Sequence, residues 1–160
     1  MSERVLSLDT AATTGFAIYD RNRIKSSGVW KFSKSDKAKK ISQFYDTLCQ
    51  TIEEDHISTI VAEDVYFDPS RPKALEALGE MRGIIYLVCS QYNIKLADFI
   101  QPVDHKYLLT GNQYANKSQT IEAVNSLGYQ VQDDNEADAI SIMLAYLQLN
   151  KRLILHPDQD

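Results

Sequence analysis

Cysteine is scarce in this chain of 160 residues: only Cys49 and Cys89 occur, each inside an apolar helical pattern, with no CxxC pair or Cys/His cluster beside it. A disulfide framework is therefore not expected, and two reduced thiols packed in the interior are. The three histidines, His56, His105 and His156, are scattered and give no zinc-ligand spacing, so any metal has to be held by oxygen. No stretch approaches the ~20 apolar residues that a membrane-spanning helix needs. The amino terminus passes through Glu3 and Arg4 straight into a strand-like segment, without the pattern of a signal peptide. The expectation is a soluble, intracellular, cytoplasmic protein with no membrane partner. An excess of positive charge is missing as well: 17 Lys and Arg stand against 22 Asp and Glu, a net charge of -5. That balance weighs against nucleic acid as a partner, because phosphate binding usually leaves a basic footprint.

What is present describes an ordinary globular domain. The composition is 44% hydrophobic and 24% charged, and a domain of this length buries roughly 70% of the surface its unfolded chain would expose. Repeats, linkers and low-complexity tracts are absent. Residues 1–150 read as one domain, with a tail at 151–160 that has no clear period. The charge is unevenly spread, which leaves room for a locally basic face. Lys31, Lys34, Lys37, Lys39 and Lys40 crowd one segment, while Arg71, Lys73, Arg82, Lys106 and Lys117 recur through the middle.

Periodicity gives a mixed α/β domain in the order βββαβαβα. Residues 4–9 read as a half-buried strand ending in Asp9, followed by strands over 15–19 and 23–32 joined through a "DRNR" turn. Ile41, Phe44, Tyr45, Leu48, Cys49 and Ile52 fall at helical spacing, so 35–55 is an amphipathic helix. A buried strand over 59–62 delivers Glu63 and Asp64. A helix over 73–91 contains Gly79 and Gly83, two places where another backbone could approach closely. A short strand near 95–100 and two short helices at 102–110 and 116–127 follow. The last helix starts near Asn135, capped by Asp134 or Asn135, with Ala137, Ile140, Leu144 and Leu147 on one face.

Three acids occupy informative places: Asp9 ends the first strand, Glu63 ends the fourth, and Asp138 lies in the first turn of the last helix. Any one of them is explained equally well as a solvated strand end or a complement to a helix N-terminus. Together they can converge on one edge of a sheet. Phosphodiester hydrolysis is helped by two Mg²⁺ ions roughly 4 Å apart, and Mg²⁺ takes oxygen ligands, so carboxylates without histidine or cysteine are the fitting donor set.

The flanking residues carry a resemblance. "LSLDTAATTGFAIYD", "VAEDVYF", "ALEALGEMRGIIY" and "NEADAISIMLA" stand in the order and register of RuvC-type Holliday-junction resolvases, in the RNase H-like superfamily, and the likeness runs over nearly the whole chain. It implies an RNase H-like fold, with a three-stranded antiparallel meander and parallel strands forming a mixed sheet flanked by helices. The implied activity is a Mg²⁺-dependent endonuclease (Mn²⁺ substituting) that resolves Holliday junctions and other branched DNA as a homodimer, leaving a 5′-phosphate and a 3′-hydroxyl. Asp9, Glu63 and Asp138 are the implied catalytic metal ligands. Lys106 and Lys117 match positions that contact DNA phosphate, and Tyr66, with Phe67 beside it, falls where an aromatic stacks on unpaired bases. Core or interface packing is the other explanation of those two aromatics. Arg71 and Arg82 are further candidates for DNA contact.

Two departures stand out. Asn135 occupies a catalytic position where many members carry an acid or a histidine; it is either a divergence or an Asp replaced by its isostere so that binding outlasts cleavage. Asp134 or Glu136 could compensate, but a one-residue shift on a helix rotates a side chain by about 100°. The low net charge is the second departure, and it fits a phage-encoded or accessory member. Three other functions stay open. One is a branched-DNA-binding protein with silenced catalysis, and one is another RNase H-like nuclease acting on RNA–DNA hybrids. The third is an actin-like or sugar-kinase-like ATPase, suggested by "DTAATTG" but lacking a second phosphate loop. The helix over 73–91 offers Leu75, Leu78, Ile85, Val88 and Cys89 either to a symmetry mate or to the chain's own core.

Overall fold

The computed structural model describes residues 2–65 and 68–150. The expected tail at 151–160 and the aromatic pair Tyr66 and Phe67 lie outside the described residues. Five strands, β1 (Val5–Asp9), β2 (Thr13–Asp20), β3 (Arg23–Lys31), β4 (Thr59–Ala62) and β5 (Lys95–Leu96), form one sheet in the order β3-β2-β1-β4-β5. The first three make the antiparallel meander, and β4 and β5 add to it in parallel. Helices α1 (Lys37–Asp55), α2 (Pro72–Tyr92), α3 (Pro102–Thr110), α4 (Lys117–Ser126) and α5 (Asp134–Leu149) cover its two faces. The single final helix of the expected order is thus preceded by the two short ones.

The strand β1 was expected to be half-buried, but Val5, Leu6, Ser7 and Leu8 all have no exposed surface. It is the central strand, so helices cover both of its faces. Val5 joins one core with Ala17, Val61 and the residues of α5, while Leu6 and Leu8 join a second with Phe44, Leu48, Met81, Ile85 and Val88 from α1 and α2. The polar Ser7 is accommodated on the first face because its hydroxyl donates to the Ala139 carbonyl at 2.7 Å. The β2–β3 turn places Arg21 and Asn22 at positive φ (52° and 65°), the two-residue geometry that matches the twist of a hairpin.

Three further expectations are corrected. The α5 helix has no single apolar stripe: Ala137 and every residue from 139 to 147 are buried. A helix apolar all round belongs inside, and α5 is packed between the sheet and the α3–α4 pair. Its cap is Asp133, whose carboxylate accepts from the backbone N–H of Asn135 and Glu136, one residue before the two candidates read from the sequence. Cβ atoms at Gly79 and Gly83 would meet nothing among the described residues, so neither serves a close approach within that part of the chain. Of the apolar residues of α2, Ile85, Val88 and Cys89 are used in the core, whereas Leu75 and Leu78 stay half-buried and Tyr86 and Leu87 exposed. Both cysteines are free, Cys89 buried and Cys49 partly so, and burial pushes the Cys89 thiol up to about 11.

Candidate active site

The parallel pairing of β1 with β4 aligns Leu8 with Ala62, so the next residue of each strand, Asp9 and Glu63, emerges at the same end of the sheet. The Glu63 N–H donates to the Leu8 carbonyl at 3.3 Å and its backbone bridges to Ile100, which fixes where its side chain starts. On the other flank of β1, Asp9 is opposite Gly15 in β2. A Cβ on Gly15 would lie 1.8 Å from the Asn135 carbonyl oxygen and 2.4 Å from its carbon. Only glycine lets the first turn of α5 approach this closely, and that approach is what brings Asp138 to the end of β1. The bend after Asp9 is held by the buried Thr14, whose hydroxyl donates to the Ala11 carbonyl at 2.5 Å.

The three predicted acids therefore lie near enough to act on one another. Burial raises the Asp9 carboxyl well above its ordinary range, and the negative charges of Glu63, Asp138 and Asp134 push it further while Lys106 opposes them. Asp138 is lifted to about 6, first by burial, with Glu63 and Asp134 adding to the rise and His105 and Lys106 opposing it. Among the described residues no group of three or more acidic, histidine or cysteine side chains is spaced to hold a metal ion as it stands. The acids share one field without being drawn together. Such a cluster carries repulsion that a cation relieves, and its all-oxygen donors suit a hard divalent ion.

Asn135 sits at the contact with Gly15, and its neutral side chain adds nothing to this field. Asp134 does add to it: it acts on both Asp9 and Asp138 and pairs with Lys117 at 3.2 Å. Glu136 instead faces β3, accepting from Ser27 at 3.4 Å. Lys106 is near enough to Asp9 and Asp138 to oppose their protonation, so both lysines flank the acids. Arg71 is exposed at the start of α2. Arg82 already has partners inside the chain, with Nη2 2.9 Å from Asp64 Oδ1 and the guanidinium 3.5 Å over the Phe99 ring. Asp64 also accepts from Gln101 at 2.6 Å. Arg82 thus pins the strand end that carries Glu63.

The residue that sequence reasoning missed is His105. It is wholly buried, with Nε2 2.6 Å from Glu63 Oε2 and Nδ1 2.8 Å from Ser141 Oγ. A signal was available: His105 and Leu109 form the buried face of α3, and a histidine on an apolar face needs polar partners for both nitrogens.

Residues 6–146 match the family described as crossover junction endodeoxyribonuclease RuvC. The chain belongs to the RuvC family. Its RuvC relatives include that of Caldicellulosiruptor saccharolyticus, 26% identical over 147 residues that cover 90% of this chain and 84% of the relative. The RuvC of Hydrogenovibrio crunogenus is 27% identical over 165 residues, covering 99% and 93%. Among solved structures, T. thermophilus RuvC in complex with Holliday junction substrate superposes with a TM-score of 0.78 at 17% identity, over 94% of this chain and 96% of that one. The yeast mitochondrial Holliday junction resolvase Ydc2 does so at 0.67 and 11% identity, over 94% and 80%. These likenesses establish the RNase H-like mixed sheet expected of the RuvC family. No helix among the described residues is long and apolar enough to cross a membrane.

Proposed function

We propose that this RuvC-family chain is an endonuclease that resolves Holliday junctions and related branched DNA, with Asp9, Glu63 and Asp138 holding divalent metal, Mg²⁺ by preference. The observation that supports the reading is that carboxylates from three separate elements lie near enough at the end of the central strand for their charges to raise Asp9 and Asp138. Bound there, divalent cations supply activation of water and charge neutralisation at the scissile phosphate. The chain's own residues bind and orient. Lys106 and Lys117 hold the phosphate backbone beside the acids, with Lys117 exchanging its Asp134 partner for a phosphate oxygen. Asp134 takes over part of the charge that Asn135 lacks. Symmetrical cutting of two strands calls for two copies of the site, and the half-buried Leu75 and Leu78 with the exposed Tyr86 and Leu87 give α2 an apolar surface for a homodimer.

The deciding experiment compares the wild-type chain with Asp9→Asn on a labelled four-way junction and on linear duplex, in Mg²⁺ and in EDTA. Cleavage of the junction falls by more than about 100-fold, beyond the usual cost of losing an outer-sphere partner, while junction binding persists in EDTA. An Asp9→Asn protein that cuts at the wild-type rate overturns the assignment. Asn135 favours a second reading, a branched-DNA-binding protein with impaired catalysis. If that reading holds, the wild-type chain binds the junction without cutting it and Asn135→Asp restores metal-dependent nicking.

A further inference from the structure

The buried trio Glu63–His105–Ser141 joins the two sides of the site. Glu63 leaves β4, Ser141 lies on α5 three residues beyond Asp138, and His105 comes from α3 to touch both. Its ring has no exposed surface. A carboxylate accepts hydrogen bonds, so Nε2 carries a proton towards Glu63 Oε2, while the Ser141 hydroxyl, 2.8 Å from Nδ1, also reaches the His105 carbonyl at 3.3 Å and so braces the ring on its other side. The helix that carries His105 is itself anchored: the His105 N–H donates to the Gln101 carbonyl at 3.2 Å, and the Gln101 side chain reaches Asp64, the residue after Glu63. A short hydrogen bond from a wholly buried ring to a partly buried carboxylate has an orienting effect on that carboxylate.

We propose that His105 is the positioning residue for Glu63: it holds Oε2 and leaves Oε1 as the oxygen offered to a divalent cation, with Ser141 locking the ring. This rests on the reading of Glu63 as a metal ligand. Packing alone would place an apolar side chain here just as well, so the claim concerns the hydrogen bond and not the volume. The conservative replacements separate the two nitrogens. The amide nitrogen of glutamine reaches the place of Nε2, whereas that of asparagine reaches only the place of Nδ1.

The experiment measures Mn²⁺ affinity of the DNA-free protein by calorimetry, together with single-turnover junction cleavage, for His105→Gln, His105→Asn and His105→Leu. Asp9→Asn and Glu63→Gln run alongside, and junction binding in EDTA and thermal unfolding report on integrity. His105→Asn and His105→Leu are expected to weaken Mn²⁺ binding by about 10–100-fold, the range for loss of an outer-sphere partner. His105→Gln recovers most of that affinity, and binding of DNA in EDTA does not change. In the wild-type protein without metal, long-range proton–nitrogen correlation spectra show the His105 proton on Nε2. Wild-type Mn²⁺ affinity in His105→Asn, or equal losses in the Gln and Asn proteins, overturns the proposal; this comparison stands even if the Leu protein fails to fold. If the metal reading itself is at fault, Asp9→Asn and Glu63→Gln also keep full Mn²⁺ affinity. A failure of His105 alone leaves those two deficient.

Discussion

Gly15→Ala is the sharpest single perturbation of the link between fold and site. The added methyl would sit 1.8 Å from the Asn135 carbonyl oxygen, and ordinary contact starts near 3.4 Å, so the first turn of α5 and β2 have to separate by about 1.6 Å (3.4 less 1.8). Neither partner is a side chain that can change rotamer; both are main chain, and one is the capped start of a buried helix. Overpacking of this kind costs about 3 kcal/mol, at the upper end of its usual range, or roughly 6–12 °C in Tm for a chain of this size. The larger consequence is chemical. Moving Asp138 by more than about 1 Å relative to Asp9 lowers junction cleavage on the order of 100-fold, while binding in EDTA is retained because Lys106 and Lys117 lie on other elements. Thermal unfolding and single-turnover cleavage, with Gly79→Ala as the control, measure both effects. The control has open space around its new Cβ and should gain about 0.5–1 kcal/mol as a helix-interior glycine replaced by alanine. A Gly15→Ala protein with wild-type Tm and wild-type cleavage refutes the contact; lost stability with an unchanged rate refutes its role in placing Asp138.

Other outcomes follow from the same geometry. In metal-free protein the raised carboxyl of Asp138, at about 6 against roughly 3.9 in an unfolded chain, means that the folded state binds the extra proton. Asp138 alone therefore makes stability fall as pH rises from about 4 to 6, by at most about 3 kcal/mol, and the raised Asp9 acts in the same direction. Urea titrations in EDTA at pH 5 and 7.5 check this, Asp138→Asn reduces the dependence, and a wild-type slope of opposite sign contradicts it. Asp133→Ala removes the cap on the N–H groups of Asn135 and Glu136 and costs about 1 kcal/mol, read by chemical denaturation. Lys106→Ala and Lys117→Ala weaken junction binding in EDTA, and each reduces the slope of log affinity against log salt by about 0.9. Unchanged slopes place the DNA elsewhere.

The strands, the helices and the places of Asp9, Glu63 and Asp138 at element ends could be read from the chain because they are local facts: alternation, helical spacing, and an acid where a periodic run stops. What could not be read depends on neighbours remote in sequence. The pattern of β1 is ambiguous between one covered face and two until its place between β2 and β4 is known. Asp133, Asp134 and Asn135 are all competent caps, and the choice among them is made by the approach of Gly15, 120 residues earlier. Arg82 looks like a free cation until Asp64 and Phe99 are placed beside it. His105 looked like one of three unrelated histidines because its partners, Glu63 and Ser141, lie 42 and 36 residues away. Asp134 was discounted on helical rotation alone, yet charge acts over distances that ligand geometry does not, and its field reaches both Asp9 and Asp138.

The burial of the middle of α5 on every side bears on how a substrate is received. Amides in the buried stretch 139–147 are expected to exchange with solvent only through large-scale opening, so Asp138, at the edge of that stretch, stands next to one of the least yielding parts of the molecule. When DNA and protein meet at this site, the shape change falls to the more pliable partner: the branched nucleic acid bends onto a stiff anvil.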